Sequence, residues 1–281
     1  LVLVRARVMN LVENQQGQVS TNNASLNYQG LAAPIASNPL PISVVEPELG
    51  VAKSILSILP ANPSNDAGDA VTYQVQLHHL ASTAMPALDV HFTDILPADL
   101  ALTLASVSCA PALCTNNSAG NTVDLTIASF PDTYLIANPL VITFQAVIAD
   151  TVEPGQTITN TADATWTSRT GVVAGERDGS GGVNDYAAQA AIDFDIGDPA
   201  FSKALTTTSA GHTLLSNVTI GEVITYTVTI TLPEGTTTGL VVTDDLPVGL
   251  QYVPRVTVLD TAGFGGAVAE PVVTAAGGSG G

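Results

Sequence analysis

Thr159-Asn160-Thr161-Ala162-Asp163-Ala164-Thr165-Trp166 decides the fold, because the chain carries it twice. The first copy is Thr21-Asn22-Asn23-Ala24-Ser25-Leu26-Asn27-Tyr28. Gln16-Gly17-Gln18 precedes it as Pro154-Gly155-Gln156 precedes the second. A second motif pair repeats further along. Gly68-Asp69-Ala70-Val71-Thr72-Tyr73 matches Gly221-Glu222-Val223-Ile224-Thr225-Tyr226, and Phe92-Thr93-Asp94-Ile95-Leu96-Pro97 matches Val242-Thr243-Asp244-Asp245-Leu246-Pro247. Asn22 and Asn160 stand 138 residues apart, Asp94 and Asp244 150 apart. Two repeats therefore fill the 281 residues, each long enough to bury a core of its own.

The composition fits an array of β-domains. Val, Thr, Ala, Gly, Pro and Asn dominate, and apolar residues alternate with Thr, Ser and Asn in the pattern of half-buried strands. Lys and Glu are scarce, which disfavours long exposed helices. Seven basic against 25 acidic residues give a net charge of −18, which argues against nucleic acid or anionic membranes as partners. No apolar run reaches the ~20 residues of a membrane-spanning helix. No leader or anchor is visible, and the chain begins inside an expected strand.

Three regions are expected. Residues 1–45 carry the closing strands of an incomplete repeat and a linker with Pro34, Pro39 and Pro41. Residues 46–195 form a complete repeat. Its expected strands are Leu49–Leu59, Ala70–His79, Ala87–Thr93, Leu102–Val107, Thr122–Ile127, Val141–Ala149 and Thr157–Thr167, separated by Pro-, Asn- and Gly-rich turns. Residues 196–281 hold the first half of a further repeat and end in Ala-Ala-Gly-Gly-Ser-Gly-Gly, which cannot fill a core. Seven short strands per repeat predict an all-β fold of tandem immunoglobulin-like β-sandwiches.

The ordered motifs resemble a conserved immunoglobulin-like repeat of large bacterial and archaeal surface proteins, catalogued as domain of unknown function number eleven. The matching elements are the Lys53 strand, Gly68 to Tyr73, Thr93 to Pro97, Thr159 to Ala162 and the insertion Gly175 to Tyr186. The resemblance implies an extracellular or cell-surface location and no enzymatic turnover. Asp198 to Lys203 is two residues shorter than Glu46 to Lys53.

Three polar residues fall on inward faces by the period-two rule. Lys53 shares a face with Leu49, Val51 and Ile55; Asp94 with Leu88, Val90 and Phe92; Asn160 with Ile158, Ala162, Ala164 and Trp166. The same faces hold Lys203, Asp244 and Asn22, and the Lys-to-Asp spacing is 41 residues in both copies. Buried charges must be paired or neutralised. A neutral amine is a nucleophile, and a protonated carboxyl can polarise an amide and carry protons. Lys, acid and Asn in this order are similar to collagen-adhesin-type domains with autocatalytic isopeptide bonds. That resemblance makes Lys53 the nucleophile, Asp94 the acid/base and Asn160 the acceptor. For Lys203 and Asp244 the acceptor would be Asn22 of a neighbouring copy. A plain Lys–Asp salt bridge beside a hydrogen-bonded Asn160 is the other reading, and a bulge would shift the parity and remove the cross-link.

Cys109 and Cys114 enclose a short loop with Pro111, which suits a disulfide; free thiols are the alternative, and zinc lacks further ligands nearby. Glu176, Asp178, Asn184 and Asp185 offer oxygen ligands of the kind calcium takes, without EF-hand spacing; a solvated loop is the alternative. No other cofactor is indicated. His78 and His79 alternate across a strand and are expected as surface and core neighbours. No catalytic triad, phosphate loop or carboxylate dyad is present in context. The functional expectation is an extracellular structural protein, a subunit or segment of a fibre, stalk or surface layer, with copies of itself as partners. The alternative is an adhesin that binds glycan or protein, which loop aromatics would favour; aromatics are 5% of the chain and most lie in strands.

Overall fold

The computed structural model describes residues 2–61, 64–80, 85–182, 185–214 and 217–253. Asn184 and the C-terminal stretch from residue 254 thus lie outside the described residues. The alternating segments fold as fifteen strands: β1 Val19–Asn22, β2 Ser25–Leu26, β3 Ile35–Ala36, β4 Leu40–Ser43, β5 Leu49–Leu59, β6 Ala70–His79, β7 Ala87–Ile95, β8 Leu100–Ala110, β9 Thr115–Asn116, β10 Thr122–Phe130, β11 Leu140–Ile148, β12 Thr157–Thr167, β13 Ala187–Asp195, β14 Ala200–Thr208 and β15 Ile224–Thr231. No helix among the described residues is long and apolar enough to cross a membrane.

Strands β5 to β13 build one sandwich. One sheet has the order β5-β6-β11-β8, the other β13-β12-β7-β10-β9, and every pairing is antiparallel. The order matches the A-B-E-D and G-F-C sheets of an immunoglobulin sandwich, with β10 added beside the C strand. Tyr73, Phe92, Phe130, Phe144, Leu77, Leu125 and Ile142 fill the space between the sheets. Among the described aromatics, Tyr73, Phe92, Phe130, Phe144 and Trp166 are buried strand residues, whereas Tyr28 and Phe201 are exposed. The sandwich has two strands that the sequence pattern did not give, β9 and β13. β13 follows the Gly-rich insertion and pairs with β12 from Thr157–Asp195 to Thr165–Ala187. Its sequence, Ala-Ala-Gln-Ala-Ala-Ile, has too few large apolar residues to announce a strand.

The chain divides into two compact units. The first holds Leu1–Asp198 and Leu232–Thr236, the second Pro199–Thr231 and the chain from Thr237. In the first unit, residues 19–43 form a ribbon rather than a bare linker. β1 pairs with β4 and β2 with β3. Asn22 faces Leu40 as Asn160 faces Ile192, and Val19 faces Ser43 as Thr157 faces Asp195. In the second unit, Lys203 faces Val228 and Leu205 faces Tyr226, as Lys53 faces Val75 and Ile55 faces Tyr73. Even the register shifts coincide, between Leu205 and Thr207 and between Ile55 and Ser57. Both ribbons thus reproduce parts of the central sandwich. Neither ribbon buries any described residue.

Candidate functional site

Lys53 lies on β5 and Asp94 on β7, in opposite sheets, and their side chains meet across the core. Lys53 Nζ donates to Asp94 Oδ2 at 2.5 Å, and both side chains are fully buried. The parity held for Lys53 because the β5 shift begins beyond Ile55. Asn160 is buried on β12, the neighbour of β7. Ala162 stands opposite Asp94, so Asn160 is the diagonal neighbour of the acid. The β12 shift against β7 falls between Thr165 and Thr167, also clear of Asn160. That shift does overturn one expectation. Asp89 adopts φ 45°, and Ala87 rather than Leu88 turns into the core.

Two aromatic rings complete the pocket. Lys53 Nζ stands 5.1 Å from the Tyr73 ring centre and 5.8 Å from that of Phe144, and the rings stack at 5.2 Å. The repeat of Tyr73 as Tyr226 was the sequence signal for this contact, which residue patterning alone did not assign. Around the ion pair, Asp94 Oδ1, both amide atoms of Asn160 and the Tyr73 hydroxyl are buried without a hydrogen bond of normal geometry. The Asn160 side chain nonetheless bears on both Asp94 and Tyr73, so four polar atoms crowd one spot with poorly aligned partners, which is costly in a resting core. The expected backbone hydrogen bond to Asn160 in the salt-bridge reading is not formed.

Burial sets the protonation. It lowers the Lys53 pKa, against the opposing pull of Asp94. It raises that of Asp94 to about 6, with Lys53 and then Asn160 acting against it. Tyr73 is raised by burial and by the Asp94 charge, with Asn160 opposing. The two shifts favour moving the proton from ammonium to carboxylate, which gives a neutral amine beside a neutral acid.

The Asp94 shift has a pH signature. Its folded pKa lies above the ordinary 3.8, so the folded state holds the proton more tightly, and ionised Asp94 weakens the fold above about pH 6. Acidification from pH 7 towards 5 is expected to stabilise an Asn160→Ala chain, by about 1 kcal/mol. The Asn160→Ala/Asp94→Asn chain lacks this gain. Denaturant unfolding of both variants across pH 5–7 checks it; equal pH slopes would contradict the shift.

The second unit holds a matching half-site. Lys203 Nζ donates to Asp244 Oδ1 at 2.6 Å and lies 4.4 Å from the Tyr226 ring centre. Here both charged side chains are about a third exposed. The chain after Lys203 contains one asparagine, Asn217, in the connection between β14 and β15. Asn22 is exposed on β1.

The other candidates resolve differently. Cys109 and Cys114 form a disulfide with Cα atoms 6.1 Å apart, joining the end of β8 to the start of β9. Glu176, Asp178 and Asp185 do not converge. Glu176 Oε1 accepts from Val173 N, Asp178 Oδ1 from Ser180, and Asp185 Oδ1 from Gly181 N. No group of three or more His, Cys, Asp or Glu among the described residues is placed to hold a metal ion. His78 and His79 are both buried, which corrects the surface-and-core expectation. His79 stacks on Phe130. His78 lies opposite Gly50, where a Cβ would strike its imidazole at 2.9 Å, so the missing side chain makes room for the ring.

No family model matches the chain, and no curated protein matches its sequence. Solved structures give distant likenesses. The T6 backbone pilin of Streptococcus pyogenes is 13% identical at a TM-score of 0.37, with 77% of this chain and 54% of the pilin covered. The major pilin subunit of Bacillus cereus is 14% identical at 0.36, with 66% and 50% covered. The collagen-binding domain of a Staphylococcus aureus adhesin is 15% identical at 0.30, with 50% and 95% covered. The chain spans about half the length of the two pilins. With TM-scores below 0.5, none of these likenesses places it in a family.

Proposed function

We propose that the chain is an extracellular structural protein, a subunit or segment of a surface fibre, stalk or layer, whose repeats are stapled by an amide between Lys53 and Asn160. The observation that carries this reading is the buried Lys53–Asp94 pair, with the unsatisfied Asn160 amide beside it, inside a unit whose two edges are repeated on either side. In the reaction, neutral Lys53 Nζ attacks Asn160 Cγ while protonated Asp94 hydrogen-bonds the amide oxygen. Asp94 then carries the proton lost by Nζ to the departing amide nitrogen. A C–N bond forms, a C–N bond breaks and ammonia leaves. Asp94 ends as it began, and no turnover follows.

The ribbons extend the reading to assembly. Lys203 and Asp244 hold the donor half of a site, and Asn22 stands on a strand with the acceptor's register. A neighbouring copy of the Asn22 strand, in the same polypeptide array or in another molecule, completes that sandwich and covers its open face. Immunogold electron microscopy of the source cells, with antibodies to the central sandwich, tests the role. Labelled filaments, stalks or a layer outside the cell are expected; label confined to the cell interior would contradict it.

A further inference from the structure

The Gly-rich insertion between β12 and β13 looked like a solvated loop or a calcium site, yet it carries a buried arginine. Arg177 is only 6% exposed, and all three of its guanidinium nitrogens are engaged. Nε donates to Asn10 Oδ1 at 2.8 Å, and Nη2 donates to the carbonyls of Leu11 and Asn14 at 3.2 and 3.1 Å. Nη1 pairs with the Glu46 carboxylate. Tyr186 Oη also donates to Glu46 Oε1, at 2.9 Å, and its ring stacks on Trp166. Glu46 in turn exchanges bonds with Gln16: its Oε2 accepts from Gln16 N at 2.8 Å, and its own N donates to Gln16 Oε1 at 2.5 Å. A second cation joins the contact, since Arg7 Nη1 donates to the carbonyl of Ala174 at 2.9 Å. In a chain with only seven basic residues, two are committed to this one place.

The partner gripped here is defined by the sequence repeat. Residues 10–16 correspond to residues 148–154, the turn between β11 and β12 of the central sandwich. They are therefore the closing turn of the preceding repeat, presenting backbone carbonyls. The equivalent turn of the central repeat also serves as an acceptor. Val152 O accepts from Thr236 N at 2.9 Å and Asp150 O from Thr236 Oγ1 at 2.8 Å. Val152 is the counterpart of Asn14. The closing turn is thus bonded through the same carbonyl position at both places.

We propose that the Arg177 loop is a docking element with which a repeat captures the closing turn of the repeat before it, and that this polar clasp fixes the angle between the two. Residues 2–46 bury no apolar side chain, so no hydrophobic seam competes for that role. A guanidinium fork suits the task, because it reads several carbonyls and one carboxylate in a fixed geometry that an ammonium cannot match. Within the loop, Glu176 Oε1, Asp178 Oδ1 and Asp185 Oδ1 accept from its own turns, while Arg177, Tyr186 and the carbonyl of Ala174 reach residues 7–46. The clasp acts whether or not Lys53 and Asn160 are joined.

Electron–electron spin distances in the full chain test it, with nitroxides on Ser20→Cys and Ser129→Cys and the native disulfide intact. The parent chain gives one narrow distribution. Arg177→Met loses that single peak; a distribution of unchanged width overturns the proposal. Should Arg177→Met also lower the melting of the sandwich, Asn10→Ala and Gln16→Ala on the exposed segment remove the same contacts from the other side. Both are expected to broaden the distribution, and unchanged widths again overturn the clasp. Added calcium leaves the broad distribution of Arg177→Met as it is. Restoration of the narrow peak by calcium would assign the junction to the loop carboxylates instead.

Discussion

Asn160→Ala is expected to destabilise the central sandwich by about 4–5 kcal/mol, the amount that a cross-link closing a loop of roughly 100 residues removes from the unfolded chain's entropy. The size of the effect separates the two readings of the site. Without a cross-link, both amide atoms of Asn160 are buried with no hydrogen bond of normal geometry, and the side chain bears only weakly on Asp94 and Tyr73. Removing such a group costs little and can even stabilise. A loss of less than about 1 kcal/mol in denaturant unfolding would therefore count against the covalent link. The replacement leaves Lys53 and Asp94 in place, so the ion pair cannot account for a large loss.

The second large effect concerns that pair. With Lys53 and Asp94 fully buried, removal of one partner strands the other's charge in the core. Lys53→Met and Asp94→Ala are each expected to cost about 3–5 kcal/mol, whereas Lys53→Met/Asp94→Leu is expected to be neutral or stabilising. The measurement is a set of unfolding curves for the three variants, all in an Asn160→Ala background where no cross-link can form. A double variant as unstable as the singles would mean that the pair serves the fold itself. The expected result, a fold that tolerates its loss, leaves chemistry as the reason for placing two charges beside Tyr73 and Phe144.

The sandwich and its polar triad were legible because strand parity is a strong signal where registers stay regular. Lys53, Asp94 and Asn160 each sit in an undisturbed run, and the bulges on β5 and at Asp89 lie beyond them. Leu88 failed the same rule because it lies on the far side of the Asp89 irregularity. Strand β13 was hidden by its alanines, and β4 by the prolines of residues 31–45, which can pair at an edge despite their missing donors. Pairing across more than 130 residues was illegible altogether. Arg177 has no apolar pattern around it, and its partners at Asn10 and Glu46 become neighbours only after the sheet has formed. The unsatisfied atoms around Asn160 are also a three-dimensional fact, since parity places a residue on a face without saying whether a partner is waiting there.

The covalent link is the central claim, and the intact mass of the folded chain tests it most directly. With the Cys109–Cys114 bond counted, the chain should weigh one ammonia less than its sequence, and proteolysis should yield a branched peptide joining Lys53 to Asn160. Asp94→Ala should restore the missing ammonia. A mass equal to that of the disulfide-bonded sequence, with Lys53 and Asn160 recovered in separate peptides, would contradict the account.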